Sequence, residues 1–150
     1  MTINIRTKGA EAEREVATVM NAIVTAACLR HGLSLPLKPL IQRNQNQSAV
    51  GGSDLTNSFD LAIEVKRQEA LSINTWWKQC EVAARETAGI PILIYRQSRK
   101  PWRVVMLTEV RVSDTAVTSG IRAELSWEDF QQWFSNVVED RIAKGWHPPK

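Results

Sequence analysis

Glu64 and Lys66 stand two residues apart in the stretch SFDLAIEVKRQ, residues 58–68. With a period of two, Phe59, Leu61, Ile63 and Val65 take one face of a strand, and Asp60, Ala62, Glu64 and Lys66 take the other. A carboxylate and an ammonium therefore leave the same face, roughly 7 Å apart along the backbone. Both can reach one phosphate, and the Val65 carbonyl between them is a further hard oxygen. Carboxylates converging on a divalent cation suit phosphodiester hydrolysis. The cation acidifies a water and neutralises charge on the phosphate, while a lysine steadies the attacking hydroxide. The plain alternative is a solvated strand face.

Such a site needs more acid. Asp60 shares the face of Glu64, but four residues along a strand span about 13 Å, too far for bonds of about 2.1–2.6 Å to one ion. Asp54 lies beyond the turn-prone Thr56-Asn57-Ser58, where the chain can fold back beside Glu64. Asp54 is the expected partner, and Asp60 is expected to face solvent at the strand start. Glu13 is a third acid in an unusual place. At about 100° per residue, Val16, Ala17, Met20, Val24 and Ala27 all fall within about 60° of it, inside an apolar helical stripe. If Glu13 lies in the first turn, the helix end and nearby water explain it. If not, a cation must meet it. Glu11 and Glu15 point away and read as solvated.

The elements that must hold these residues follow from spacing and punctuation. Residues 8–31 read as a helix stopped by Gly32. Two prolines make the following segment a loop, with a short extended piece at 40–43. The polar run NQNQSAVGGSDLTNS reads as loop, with a short strand near 53–55. Residues 59–66 form a strand. Ser72 opens a helix carrying Trp76, Trp77, Gln79, Cys80, Val82, Ala83 and Ala84, which ends near Gly89. Residues 90–95 (IPILIY) read as a buried strand, and 102–107 as another after the Lys100–Pro101 turn. The stretch 108–122 has no clear period. SWEDFQQWF starts a late helix with a Ser-x-x-Asp cap, placing Trp127, Phe130, Trp133 and Phe134 on one side. KGWHPPK is a tail. The order predicts one α/β domain over 1–150, a small mixed β-sheet flanked by helices.

The 150 residues suffice for one cored domain, and 43% hydrophobic with 23% charged content excludes a disordered chain. No apolar run approaches the ~20 residues of a membrane span, and MTINIRTKGAE lacks the apolar core of a signal peptide. Cys28 and Cys80 read as reduced thiols of a cytosolic protein, since no CxxC supports zinc or a disulfide framework. A net charge of +3 permits a polyanionic partner without requiring one. His31, at a helix end, and His147, in the tail, receive no catalytic role.

KGAEAEREV at residues 8–16 resembles the N-terminal helix signature of archaeal-type Holliday junction resolvases, a lysine-glycine followed by Glu-Arg-Glu. GGSDLTNSFDLAIEVKRQ at 51–68 resembles the Asp…Glu-x-Lys core of the PD-(D/E)XK nuclease superfamily. With RNQNQ, EVKRQ and WWKQ, the arrangement is most similar to small phage-encoded nucleases of that superfamily. The resemblance covers about residues 8–107, leaving 108–150 as a C-terminal helix and tail. It implies a restriction-endonuclease-like core and a Mg²⁺-dependent endonuclease, with Mn²⁺ as substitute. Asp54, Glu64 and the Val65 carbonyl would be metal ligands, with Glu13 joining directly or through water. Lys66 would be the catalytic lysine, and Gln68 and Gln79 supporting polar residues. Resolvases of this type are homodimers that cut opposed strands of a four-way DNA junction. One departure is Ser53, where the family pattern has proline, which touches only the shape of that turn.

Phosphate contacts are expected from Arg43 above all, and from Lys8, Arg14, Arg67, Lys78 and Arg6, each with a solvated surface charge as the alternative. RQSRK at 96–100 reads better as a solvated turn than as a backbone grip. One of Trp76 and Trp77 is expected in the core, the other on a base or in a dimer interface. Trp127, Trp133 and Phe134 read as core or interface. The rivals are another repair, recombination or restriction-type nuclease and a catalytically silent DNA-binding module. Retention of Glu13, Asp54, Glu64 and Lys66 together argues against the silent module.

Overall fold

The computed structural model describes residues 5–45 and 53–149. The end of the RNQNQ run (residues 46 and 47), glycines 51 and 52, and the Arg6 side chain lie outside the described residues. Helix α1, Ile5–Arg30, starts earlier than its apolar pattern. Val16, Met20, Val24 and Ala27 form its buried stripe, none more than 1% exposed. Gly32 ends it with φ of 65°, and the Leu33 N–H closes the turn on the Cys28 carbonyl at 2.9 Å. Two short strands follow, β1 (Gln42–Arg43) and β2 (Leu55–Thr56), paired antiparallel.

The stretch carrying Glu64 and Lys66 lies in β3, Leu61–Arg67. Helix α2 (Ile73–Thr87) then crosses over to β4 (Ile90–Arg96), which lies parallel to β3. Strands β5 (Arg103–Arg111) and β6 (Val117–Ser126) add antiparallel, giving the order β3-β4-β5-β6. Helix α3, Trp127–Ala143, is capped by Ser126, whose side chain accepts from the Asp129 N–H at 3.0 Å. Helices α1 and α3 pack together and cover one face of the sheet, and α2 covers the other. This is the mixed α/β layer expected from the sequence.

Several expectations need correction. Strand β3 begins at Leu61, not at 59, because Asn57, Phe59 and Asp60 take positive φ of 57°, 59° and 64°. Phe59 is held in that conformation by Phe134, 5.7 Å away, and Trp146, 4.9 Å away. Both faces of β3 are buried, since helices cover both; the alternation in the sequence had left one face open. Gly89, after α2, has no room for a Cβ, which would sit 3.0 Å from the Asp60 carbonyl.

The unassigned stretch 108–122 is the outer part of the β5–β6 hairpin, largely exposed on both strands. The C-terminal segment is not an appendage: Phe130, Phe134 and Val138 are fully buried in the main core beside α1. Truncating Phe134 to alanine would cost about 3–5 kcal/mol. Trp76 and Trp77 are both buried, at 4% and 6% exposure, so neither is available to a base or a partner. Trp127 and Trp133 pack against the same core as Phe134.

Candidate active site

Strand β3 is the edge of the four-stranded sheet, and the segment entering β2 closes against it. The Asp54 N–H donates to the Ile63 carbonyl at 2.8 Å. In return the Val65 N–H donates to Asp54 Oδ2 at 2.7 Å. This two-point clasp sets the Asp54 carboxylate beside Glu64. Ser53, buried, steadies the turn by donating its hydroxyl to the Leu55 carbonyl at 3.0 Å. A serine thus does by hydrogen bonding what a proline would do by restricting φ.

Asp54 and Glu64 are 5% and 6% exposed and share a side-chain hydrogen bond. Burial, then the negative charge of Asp54 and that shared bond, push the Glu64 carboxyl up to about 8, with Lys66 pulling the other way. Lys66, half-buried, is the next residue on the same face of β3.

Glu13 belongs to the same field. Helix α1 begins at Ile5 and has no acid in its first turn, so Glu13 lies too deep in the helix for the helix-end explanation. Burial raises its carboxyl, as does nearby Asp54, and a bond from Arg43 Nε to Oε2 at 2.7 Å opposes the rise. Glu15 was expected to be solvated. It instead accepts from Trp102 Nε1 at 3.1 Å and pairs with Arg96 at 3.4 Å. Arg96 in turn lies over the Trp102 ring, so this end of the RQSRK turn is a half-buried structural contact. Asp60 is exposed and pairs with Arg141 at 3.0 Å, away from Glu64.

The remaining candidates fall into separate places. Lys78 and Gln79 line a groove on α2 with Glu64, Thr75, Val82, Ala83 and Glu86. Arg14 and Arg43 line another, beside α1, with Asn21 and Gln45. Lys8 pairs with Glu69 at 3.4 Å. Gln68 is exposed at the end of β3. Arg67 is half-buried, with Nε unbonded among the described residues. Two neighbours escaped the sequence reading. The Asn44 N–H donates to the Asp54 carbonyl at 2.8 Å, and its side chain donates to the Ser53 carbonyl at 3.0 Å. Cys80, fully buried, donates to the Ile92 carbonyl at 3.5 Å, and burial, with Glu64 and Asp54 nearby, raises its thiol. The polar RNQNQ run carried a signal for Asn44. Cys80 carried none, because its helical spacing is that of any core residue.

The donor set fits a hard divalent cation. Two buried acids side by side are relieved by a nearby positive charge, and all the donors are oxygen. Among the described residues, no three Asp, Glu, His or Cys side chains gather closely enough to enclose a metal ion. Asp54 and Glu64 are the two acids brought face to face, and Glu13 sits at their margin, bonded to Arg43.

A glutamate and a lysine on the edge strand of a mixed sheet, with an aspartate clasped to that strand and a helix glutamate beside them, is the layout of the PD-(D/E)XK nuclease class. The family model described as "Phage putative PDDEXK endonuclease" matches residues 4–139, and the chain belongs to that family. The match runs well past residue 107, in keeping with the buried C-terminal helix. No protein of curated function matches the chain. Among solved structures it is similar to Hjc, a Holliday junction resolvase from the archaeal hyperthermophile Archaeoglobus fulgidus. Identity is 18%, coverage 83% of this chain and 96% of that one, and the TM-score 0.47. The protein is thus a nuclease of a class that generally works with divalent metal ions. Among the described residues, no helix is long and apolar enough to cross a membrane.

Proposed function

We propose that this nuclease uses Mg²⁺, with Mn²⁺ able to substitute, and that it acts as a homodimeric Holliday junction resolvase in the host cytoplasm. One observation carries the catalytic part: the buried Asp54 and Glu64 carboxyls meet at an edge strand whose next outward residue is Lys66. The junction part rests on the likeness of KGAEAEREV to resolvase helices. Cutting two opposed strands needs two sites, and the chain carries one, hence the dimer.

Asp54, Glu64 and the Val65 carbonyl would hold the cation, and Glu13 would join directly or through water. When bound, the cation supplies positive charge that eases ionisation of a water and offsets charge on the phosphate. The residues themselves do the rest. The Val65 N–H keeps Asp54 oriented. Glu64 gives up its proton as the site fills, because its raised pKa comes from burial and Asp54. Lys66 orients the attacking water and stabilises the crowded phosphate. Lys78 and Gln79 hold the backbone along the groove at Glu64, and Arg43, Arg14, Arg67 and Lys8 add phosphate contacts. Gln68 supports the strand end. The products carry 5′-phosphate and 3′-hydroxyl ends.

The test is a substrate panel. With Mg²⁺ the protein should nick a synthetic four-way junction symmetrically, and Asp54→Asn or Glu64→Gln should bind it without cutting. Equal cutting of linear duplex and junction would remove the resolvase reading and keep the nuclease. No cutting of any DNA with Mg²⁺ or Mn²⁺ would remove both.

A further inference from the structure

Glu13 already has a cationic partner. Arg43 Nε donates to Glu13 Oε2 at 2.7 Å, with side chains 27% and 15% exposed. The arginine is tied mechanically to the catalytic acid. It lies in β1 opposite Leu55, the residue after Asp54, and its neighbour Asn44 donates to the Asp54 carbonyl at 2.8 Å. Arg43 also lines the groove beside α1, together with Arg14 and Gln45. A guanidinium has five N–H donors, and its fork matches a phosphate as well as a carboxylate.

We propose that Arg43 couples DNA binding to completion of the cation site. Without DNA, Arg43 neutralises Glu13 and keeps it off the cation. A backbone phosphodiester entering the Arg14–Arg43 groove takes over the guanidinium, and Glu13 turns to the cation beside Asp54 and Glu64. No covalent bond changes. One anion replaces another at Arg43, and the released carboxylate meets the divalent charge. The physical reason is like charge: part-buried Glu13 lies within electrostatic reach of the buried Asp54 and Glu64, and the three repel one another when no cation is present. The coupling is reciprocal, so DNA tightens the cation and the cation tightens DNA. This inference rests on the nuclease reading above.

The experiment is calorimetric titration of Ca²⁺ into the whole protein, alone and with a short duplex whose integrity is checked by gel. Wild type, Arg43→Gln, Glu13→Gln and the double variant are compared, each first shown to be folded by its melting curve. Without DNA, Arg43→Gln should bind Ca²⁺ on the order of ten-fold tighter than wild type. In the Glu13→Gln background the same change should do nothing, because Arg43 acts through Glu13. The duplex should tighten Ca²⁺ more for wild type than for Arg43→Gln. Equal tightening with and without Glu13 would make Arg43 a bystander charge and overturn the proposal, as would no tightening at all. Should Arg43→Gln not fold, Arg43→Lys takes its place: loss of the fork should give a smaller tightening, still dependent on Glu13, and its absence overturns the proposal equally. Failure of the nuclease reading shows elsewhere, as wild type that binds Ca²⁺ but cuts no DNA with Mg²⁺ or Mn²⁺.

Discussion

Helix α1 carries two clusters of charge built on opposite logic. At its C-terminal end, Glu139 of α3 receives Arg30 Nε at 2.9 Å and also pairs with His31. Those two partners, His31 first, hold its carboxyl below the usual range. His31, given no role by the sequence, thus joins a seam between α1 and α3. Nearer the N-terminus, Glu13 shares its surroundings with Asp54 and Glu64, and burial pushes the Glu13 and Glu64 carboxyls up. The seam places acids against bases and is complete. The β3 edge places acid beside acid, and the proposed cation would complete it. Local stability is favoured in one region and given up in the other, as the proposed active site requires of the second.

The largest expected difference between them is in catalysis. Asp54→Asn or Glu64→Gln should lower cutting about a thousand-fold or more in a Mg²⁺ cleavage assay, whereas Glu139→Gln should leave the rate unchanged. Next is stability without metal. Glu64→Gln removes a buried acid facing another and should raise the unfolding free energy by about 1–3 kcal/mol in chemical denaturation. Glu139→Gln should lower it.

Their pH dependence should also run in opposite directions. The Glu64 carboxyl rises from an ordinary 4.5 to about 8 on folding, so the folded state binds the extra proton. Metal-free stability should then fall as pH rises through that window, and Glu64→Gln should flatten the slope. The Glu139 carboxyl is lowered on folding, so its contribution should be lost as pH falls toward and below 4.5. Melting curves from pH 4 to 9 with a chelator resolve both. The smallest effect is in DNA affinity. Lys78→Ala should reduce the slope of log affinity against log salt by about 0.9, and Arg30→Ala should not change it.

Much of this was legible in the sequence, for reasons that are physical. Glu64 and Lys66 could be placed because a strand's period of two is rigid. Glu13 could be placed because a helix stripe shows an intruder. Asp54 could be preferred to Asp60 because distance along a strand excludes the nearer residue. Arg43 with Glu13, Asn44 with Asp54, and Cys80 under Glu64 could not be read, since each is a contact between elements far apart in the chain. The second buried face of β3 was hidden because Ala62 and Glu64 look polar or neutral until α2 covers them. The start of the strand was missed because Phe59 has high strand propensity, while packing by Phe134 and Trp146 and the Ser58–Leu61 hydrogen bonds hold it in a left-handed turn. The β5–β6 hairpin went unassigned because both its faces are exposed and it carries no apolar period.

The central claim is that the Asp54–Glu64 pair is a cation site. The most direct measurement is the melting temperature at pH 8 with and without Mg²⁺, for wild type and Glu64→Gln. At about a hundred-fold excess over its dissociation constant, a bound cation adds about 2.7 kcal/mol, or several degrees at this chain length. Mg²⁺ should raise wild type by that amount and leave Glu64→Gln nearly unmoved. An equal rise in both proteins, or none in wild type, would contradict the assignment.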